Sequence, residues 1–158
     1  MKTKILAFVS ICVLLLGLTA CGGNSDGQTQ KSAAEIADEI HNTQTFQDTL
    51  NAIDTDMLKD YYRIDEADLS DSKVYVSGSF STAEEIAVFK ASSEQAVENI
   101  KKAIDTRLED LKLAFESYAP DEMTKINNPV LVTKGTMVVL VLADDTSAVS
   151  DKVDALLK

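Results

Sequence analysis

A single apolar stripe between residues 93 and 118 constrains the fold more than any other feature of the sequence. Apolar side chains recur there every three or four residues, at Val97, Ile100, Ile104, Leu108, Leu111, Phe115 and Tyr118. This spacing predicts one face of an α-helix that is roughly 39 Å long. Ser92 and Gln95 match a capping box at its start, and Pro120 prevents simple continuation beyond its end. The stripe does not persist in neighbouring segments, which favours a helix packed on a sheet over a partner-binding coiled coil.

Four segments have the composition of β-strands. Residues 73–80 alternate, with Val74 and Val76 on one face and Tyr75 on the other. Residues 81–85 match a helix-start signature, but the short run 85–89 is rich in Ile, Val and Phe, and we predict a strand paired with the first. Residues 130–133 and 136–143 form a predicted hairpin in which Gly135 supplies the positive φ of a tight turn. The last strand is apolar on both faces and should lie centrally in the sheet.

Helical periodicity predicts the remaining elements. Residues 32–42 place four apolar side chains on one face, residues 45–62 form a less regular second helical stretch, and residues 147–157 form a last helix. The predicted order α-α-β-β-α-β-β-α indicates an α+β domain. Its core is a mostly antiparallel four-stranded sheet backed by the long amphipathic helix, with N-terminal helices and a C-terminal helix.

The first 21 residues have the pattern of a lipoprotein leader. Lys2 and Lys4 precede an apolar run over residues 5–16, and Leu18-Thr19-Ala20-Cys21 resembles the lipobox of bacterial lipoproteins. A membrane-spanning helix needs about 20 apolar residues, so we predict a signal peptide over residues 1–20 instead. Cys21 is then the lipid attachment site, where two acyl chains give stable membrane binding. An ordinary secreted protein cut after Ala20 is the alternative.

Composition beyond the leader predicts a tether followed by one domain. Residues 22–30 contain no apolar side chain, so residues 21–31 are predicted to form a flexible tether. Residues 32–158 have the length of a single extracytoplasmic α+β domain. Loss of Lys2 and Lys4 with the leader changes the formal net charge from −11 to −13, which disfavours nucleic acid as a partner. Cys12 and Cys21 are the only cysteines, so the mature domain should form no disulfide.

The sequence offers few candidates for chemistry. The one histidine, His41, ends the first predicted helix, where the carbonyls and dipole of the helix terminus favour it. No nucleophile elbow or phosphate-binding loop is present. Acidic residues cluster at positions 54–56, 65–71 and 144–145, which favours a solvated acidic face, with weak divalent binding or a glycosidase-type carboxylate pair as alternatives. We therefore predict no catalytic residue, no metal site and no cofactor.

Two segments with arginine and tyrosine are the remaining candidates for interaction. Arg107 is a polar residue within the long helix and is predicted to pair with Asp110 or with a buried acid. Tyr61-Tyr62-Arg63 is the second segment. We predict a structural ion pair or a tyrosine contact for Arg107 in preference to ligand binding.

Several of these residues together resemble a known family. Arg107-Leu108-Glu109, followed by Phe115, Tyr118, Pro120 and then Asn128 before a Val-rich hairpin, is similar to the DUF4358 family of uncharacterised Gram-positive bacterial lipoproteins. The run Glu84-Glu85-Ile86-Ala87-Val88-Phe89 also resembles that family's second strand. The resemblance covers roughly residues 33–145 and departs at Met137, where an aromatic residue is commoner. It implies a small surface-exposed lipoprotein and no particular activity.

Together these patterns predict a lipoprotein anchored through Cys21 to the outer face of the cytoplasmic membrane. We expect it to be non-enzymatic and to bind a protein partner or a small ligand at the cell envelope. The alternatives are a carboxylate-based cell-wall hydrolase and an accessory subunit of a membrane transport or secretion complex.

Overall fold

The computed structural model describes residues 31–158, so the predicted leader, Cys21 and residues 21–30 of the predicted tether lie outside the described residues. The described helices are α1 (Ala33–Thr43), α2 (Leu58–Tyr62), α3 (Glu94–Phe115), α4 (Met123–Asn127) and α5 (Thr146–Leu156). The described strands are β1 (Leu50–Ile53), β2 (Leu69–Ser77), β3 (Glu85–Ala91), β4 (Val130–Lys134) and β5 (Met137–Leu142). No helix among residues 31–158 is long and apolar enough to cross a bilayer.

The strands form one antiparallel sheet in the order β1-β2-β3-β5-β4. The predicted α+β class and the antiparallel pairing are confirmed, but the sheet has five strands where the sequence predicted four. β3 and β5 lie next to each other at the centre, and every residue of β5 is buried, as its apolar composition on both faces predicted. Gly135, with φ of 56°, makes the predicted tight turn between β4 and β5.

The fifth strand, β1, lies inside the segment that we predicted to be helical. Within residues 45–62 the helical part is confined to the 3₁₀ turn Thr55–Met57 and the short helix α2, and Leu50–Ile53 pairs with β2 at the edge of the sheet. A spacing of three residues puts Leu50 and Ile53 on one face of a helix but on opposite faces of a strand. In the fold, Leu50 packs in the core on the α1 side of the sheet, and Ile53 packs against the core on the α3 side. The prediction was wrong because these two apolar residues serve two different cores.

Helices cover both faces of the sheet and give the domain three layers. α1 and α5 pack on the face that contains Ile86 and Val88, while α2, α3 and α4 pack on the face that contains Ala87 and Phe89. α3 backs the sheet as predicted, and the apolar residues of its stripe from Val97 to Phe115 are buried. Tyr118 departs from the prediction because α3 ends at Phe115, and its side chain is 72% exposed.

Side-chain caps fix where two of these helices begin. Ser32 and Glu35 form a capping box at the start of α1. At α3 the cap is Ser93, whose hydroxyl accepts from the backbone N–H of Ala96. The predicted Ser92–Gln95 box is wrong by one residue, since the Ser92 hydroxyl instead donates to a carbonyl in the 3₁₀ turn Glu66–Asp68.

Candidate functional site

A pocket of about 290 Å³ opens between the C-terminal half of α3 and the loop of residues 78–84 that joins β2 to β3. This volume lies at the low end of the roughly 300–1,000 Å³ typical of ligand pockets. Most of its wall is apolar or aromatic, with contributions from Tyr61, Val76, Phe80, Ala83, Leu111, Ala114, Phe115 and Tyr118. Its polar lining residues are Ser77, Thr82, Glu84, Glu85 and Arg107. The pocket thus combines an apolar cavity with a small number of polar groups.

A buried ion pair between Glu85 and Arg107 forms part of the pocket wall. Glu85 begins β3 opposite Val76 and Leu142, and this register turns its side chain towards α3. Arg107, from α3, reaches it with an Nη2–Oε2 distance of 2.6 Å and an Nε–Oε2 distance of 3.2 Å. The Glu85 side chain is 2% exposed and that of Arg107 is 16% exposed. The pair therefore ties the sheet to α3 in a largely water-free position.

Two tyrosines of α2 complete this network. The hydroxyl of Tyr62 donates to Oε1 of Glu85. The Arg107 guanidinium carbon lies 5.0 Å from the ring centroid of Tyr61 and 5.8 Å from that of Tyr62, within range of cation–π attraction. The predicted ion pair and tyrosine contacts of Arg107 are both confirmed. Its partner is the buried acid Glu85 and not Asp110.

Protonation states in this network are fixed at physiological pH. Burial acts to lower the pKa of the Arg107 guanidinium, but the charge of Glu85 and its hydrogen bonds outweigh burial, so the pKa is raised. Burial, followed by the negative charge of Glu85, raises the pKa of Tyr62 well above its ordinary value. Arg107 thus stays charged and Tyr62 stays protonated at physiological pH.

A second ion pair, which is exposed, links α3 to the residue that follows α2. Arg63, in the segment Tyr61-Tyr62-Arg63, bonds to Asp110 of α3 at 2.9 Å, and the two side chains are 61% and 41% exposed. The three residues of that segment therefore all contact α3 or its ion pair, two of them as the tyrosines described above. The sequence singled out both segments and predicted a partner only for Arg107, whereas Asp110, one of the two acids considered for Arg107, pairs with Arg63.

The loop of residues 78–84 is held at its β3 end by Glu84. Glu84 is 1% exposed, and its carboxylate accepts hydrogen bonds from the backbone N–H groups of Gln47 at 2.8 Å and Asp48 at 2.9 Å. Asp48 in turn accepts the hydroxyls of Ser77 and Ser79 and the backbone N–H of Ser79. These hydrogen bonds hold the pKa of Asp48 far below its usual range. The segment before β1 and the loop are thereby joined through two carboxylates.

A second carboxylate, that of Glu122 just before α4, holds the same loop. Glu122 accepts the backbone N–H of Ala83 at 2.7 Å, and its carboxylate also binds the buried Nζ of Lys125 at 2.8 and 2.9 Å. Asp144, at the end of β5, lies 3.3 Å from the same Nζ. Burial acts to lower the pKa of Lys125, but Glu122 and then Asp144 outweigh it and the pKa is raised. The loop is consequently fixed from both flanks.

Two exposed aromatic side chains contribute to the pocket. Phe80, in the clamped loop, is 67% exposed, and Tyr118, just beyond α3, is 72% exposed. Phe80 also has a φ of 57°, in the left-handed region that bulky L-residues rarely adopt. Exposed apolar rings and an unfavourable backbone angle are features that function can retain against stability. No sequence pattern pointed to Phe80 as a site residue, and we predicted it at the end of a strand.

The other candidates from the sequence lie away from the pocket. His41, in the last turn of α1, stacks on Tyr75 with ring centroids 4.5 Å apart, on the α1 side of the sheet. Asp71 accepts the backbone N–H of Ala33 at 2.7 Å, and Asp145 caps α5. Within the described part of the chain, no three side chains among His, Cys, Asp and Glu are grouped as a metal site. The acidic clusters thus include several specific structural contacts.

These features define the class of the protein: a three-layer α+β domain with an apolar pocket at one end of its sheet. The family model described as "Domain of unknown function (DUF4358)" matches residues 43–143, and the chain belongs to this family. The matched segment contains all five strands and every residue that lines the pocket, while α5 and nearly all of α1 lie outside it. No curated protein and no solved structure matches the chain.

Proposed function

We propose that this protein is a membrane-anchored extracytoplasmic lipoprotein that binds a small amphipathic ligand in the pocket between α3 and the loop of residues 78–84. The observation that carries the proposal is an apolar pocket with two exposed aromatic side chains, Phe80 and Tyr118, beside a loop clamped on both flanks. A site already held in shape loses little conformational entropy when a ligand enters, which favours affinity.

The anchor rests on the leader pattern of residues 1–21. A basic start, a short apolar run and the lipobox-like Leu18-Thr19-Ala20-Cys21 support lipid attachment at Cys21. The outer face of the cytoplasmic membrane is the location that follows from such processing. A protein in that position meets ligands and other envelope proteins outside the cell.

Binding is favoured over hydrolysis by the state of the two carboxylates in the pocket. A carboxylate-based glycosidase needs one acid free to donate a proton and a second free to act as base or nucleophile. Glu85 is bonded to Arg107 and Tyr62, and Glu84 accepts two backbone N–H groups. Both side chains are thus engaged in holding the pocket together.

Alanine methyl groups provide a direct test of ligand binding. Ala83 and Ala114 line the pocket, whereas Ala33 and Ala37 are buried residues of α1 on the opposite face of the sheet. With isotope-labelled alanine in the mature protein held in lipid nanodiscs, a screen of small amphipathic compounds should shift the first two resonances and leave the second two in place. A screen in which no compound moves Ala83 or Ala114 selectively would contradict the proposed pocket function.

The anchor is tested separately. Mass spectrometry of the native N-terminus should find a diacylglyceryl thioether on Cys21, and Cys21→Ala should release the protein from the membrane fraction or leave its leader uncleaved. An unmodified start at Met1 in the native protein would overturn the lipoprotein assignment.

A further inference from the structure

We infer that the pocket selects organic cations, specifically an alkylated ammonium group joined to an apolar or aromatic body. This inference rests on the proposed binding function of the same pocket and adds the charge and chemical class of the ligand. It follows from the carboxylates near the pocket that have no cationic partner and from the exposed aromatic rings that line it.

The charged residues that line the pocket include one negative charge that no cation compensates. Arg107 is the only cation among the lining residues, and it is paired with Glu85. Glu84 has no such partner among the described residues, since its carboxylate is bonded to two backbone N–H groups and to the hydroxyl of Thr82. Those neutral donors stabilise the charge without cancelling it. Because Glu84 pairs with Ser77 and directly precedes Glu85, its carboxylate lies on the α1 side of the sheet, behind the pocket wall, and adds negative potential from there.

A second uncompensated carboxylate lies directly behind the wall. Asp48 contacts the lining residue Ser77, and its other partners are the hydroxyl and N–H of Ser79 and the N–H of Thr49, all of them neutral. Its strongly lowered pKa keeps it ionised at any physiological pH. The nearby cation Lys125 is already matched by Glu122 and Asp144. A concave site bordered by charge of one sign concentrates ligands of the opposite sign, and a low local dielectric strengthens the effect.

The exposed aromatic rings fit the same kind of ligand. The faces of Phe80 and Tyr118 carry the negative side of the ring quadrupole and are open to solvent, whereas the ring of Tyr61 already holds Arg107. A quaternary ammonium group has no N–H that needs a hydrogen-bond acceptor, so it loses little against such rings. Val76, Leu111 and Phe115 offer an apolar surface for the attached body.

Three compounds that share one phenylmethanol scaffold separate charge from shape. They carry trimethylammonium, tert-butyl or carboxylate at the para position, so that the first two are nearly isosteric. Binding is measured through the methyl resonances of Ala83 and Ala114 in the mature protein, with nanodiscs of zwitterionic lipid alone as the blank. We expect the ammonium compound to bind about tenfold more tightly than the tert-butyl compound, and the carboxylate to bind most weakly. Added salt should reduce the preference for the cation.

A variant outside the core tests the role of the rings. Tyr118→Leu keeps an apolar side chain at a 72% exposed position but removes the ring, so the ratio of ammonium to tert-butyl affinity should fall about threefold while binding of the tert-butyl compound is retained. The matched control is Leu113→Ala, at a 77% exposed position of α3 outside the pocket lining, which should leave the ratio unchanged.

The possible outcomes distinguish this inference from the function on which it rests. Tert-butyl binding equal to or tighter than ammonium binding would overturn the cation preference and leave a ligand pocket in place. If none of the three compounds, nor any other in the screen, moves the two pocket methyl groups, the proposed function fails and the cation preference fails with it. Selective ammonium binding that weakens in Tyr118→Leu supports both.

Discussion

Replacing Arg107 with methionine should leave the carboxylate of Glu85 buried without its counter-charge. Methionine retains an unbranched apolar stem that can pack near Tyr61, so the change removes mainly the guanidinium group. Glu85, whose side chain is 2% exposed, would lose both of its short contacts to Arg107 and keep only the hydrogen bond from Tyr62.

The expected loss in the free energy of unfolding is about 3–5 kcal/mol, because removal of one partner exposes the full desolvation cost of the other. The double variant Glu85→Gln with Arg107→Met removes both charges and keeps an acceptor for the Tyr62 hydroxyl. Its expected cost is below about 2 kcal/mol, since no uncompensated charge remains in the core. The double variant should thus be more stable than the single variant.

These differences are measured by denaturant unfolding monitored with far-ultraviolet circular dichroism. The slope of the unfolding free energy against denaturant concentration should be the same in all variants if their transitions are comparable two-state transitions. Arg63→Met is the matched control. Arg63 also forms an ion pair, with Asp110 of α3 at 2.9 Å, but both of these side chains are well exposed. Exposed pairs contribute about 0–1 kcal/mol, so this variant should remain close to the wild-type protein.

Two results would refute this reasoning. One is an Arg107→Met cost no greater than that of Arg63→Met, which would mean that burial does not set the value of the pair. The other is a double variant less stable than Arg107→Met alone, which would mean that the buried carboxylate is not the source of the loss.

Three further changes test the clamped loop and the opposite face of the sheet. Gly78→Ala would place its Cβ 2.9 Å from the Thr49 carbonyl oxygen, so unfolding experiments should show a loss of about 1–3 kcal/mol, and an unchanged stability would contradict the packing described. Phe80→Gly relieves a positive φ at an exposed site and should raise stability by up to about 1 kcal/mol in the same assay while weakening ligand binding; a drop in stability would show that the ring is needed for folding. Burial, followed by the hydrogen bond to Asp38, raises the pKa of Tyr75 to about 12, so its contribution to stability is complete below about pH 10 and is lost as the pH rises towards 12. Tyr75→Phe should remove that late step from the ultraviolet titration of tyrosinate, and a titration curve that loses an earlier step would contradict the assignment.

Local periodicity predicted those elements whose burial is decided within their own segment. α3 is the clearest example, because one stripe from Val97 to Phe115 faces one core along its whole length. The hairpin at Gly135 was predicted for a similar reason, since its turn conformation depends on one residue. Ser92 and Ser93 are both suitable caps for α3. Ser93 is the cap because the Ser92 hydroxyl donates to the carbonyl of Ala67, a contact with a distant segment that no local pattern predicts.

Contacts between distant segments account for what the sequence did not predict. β1 exists because Leu50–Ile53 pairs with the edge of β2, which a reading of residues 45–62 alone cannot reveal. Arg107 was correctly assigned to an ion pair, but its partner Glu85 lies 22 residues away and was placed only by the register of β3 against its neighbours. Phe80 takes its unusual backbone angle in a loop held by the carboxylates of Asp48 and Glu122, which lie in two other segments, and the residues next to Phe80 do not predict that angle.

The hydrogen bond from Ala33 to Asp71 has a consequence for orientation. It ties the start of α1 to one end of β2, whereas Val76 and Ser77, at the other end, line the pocket. Six residue steps along a strand span about 20 Å at roughly 3.3 Å each. In a domain attached to the bilayer through the chain before α1, as proposed, the point of attachment would therefore be separated from the cavity by about the length of β2. Anchoring would thus leave the cavity unobstructed, whichever way the tether lets the domain turn.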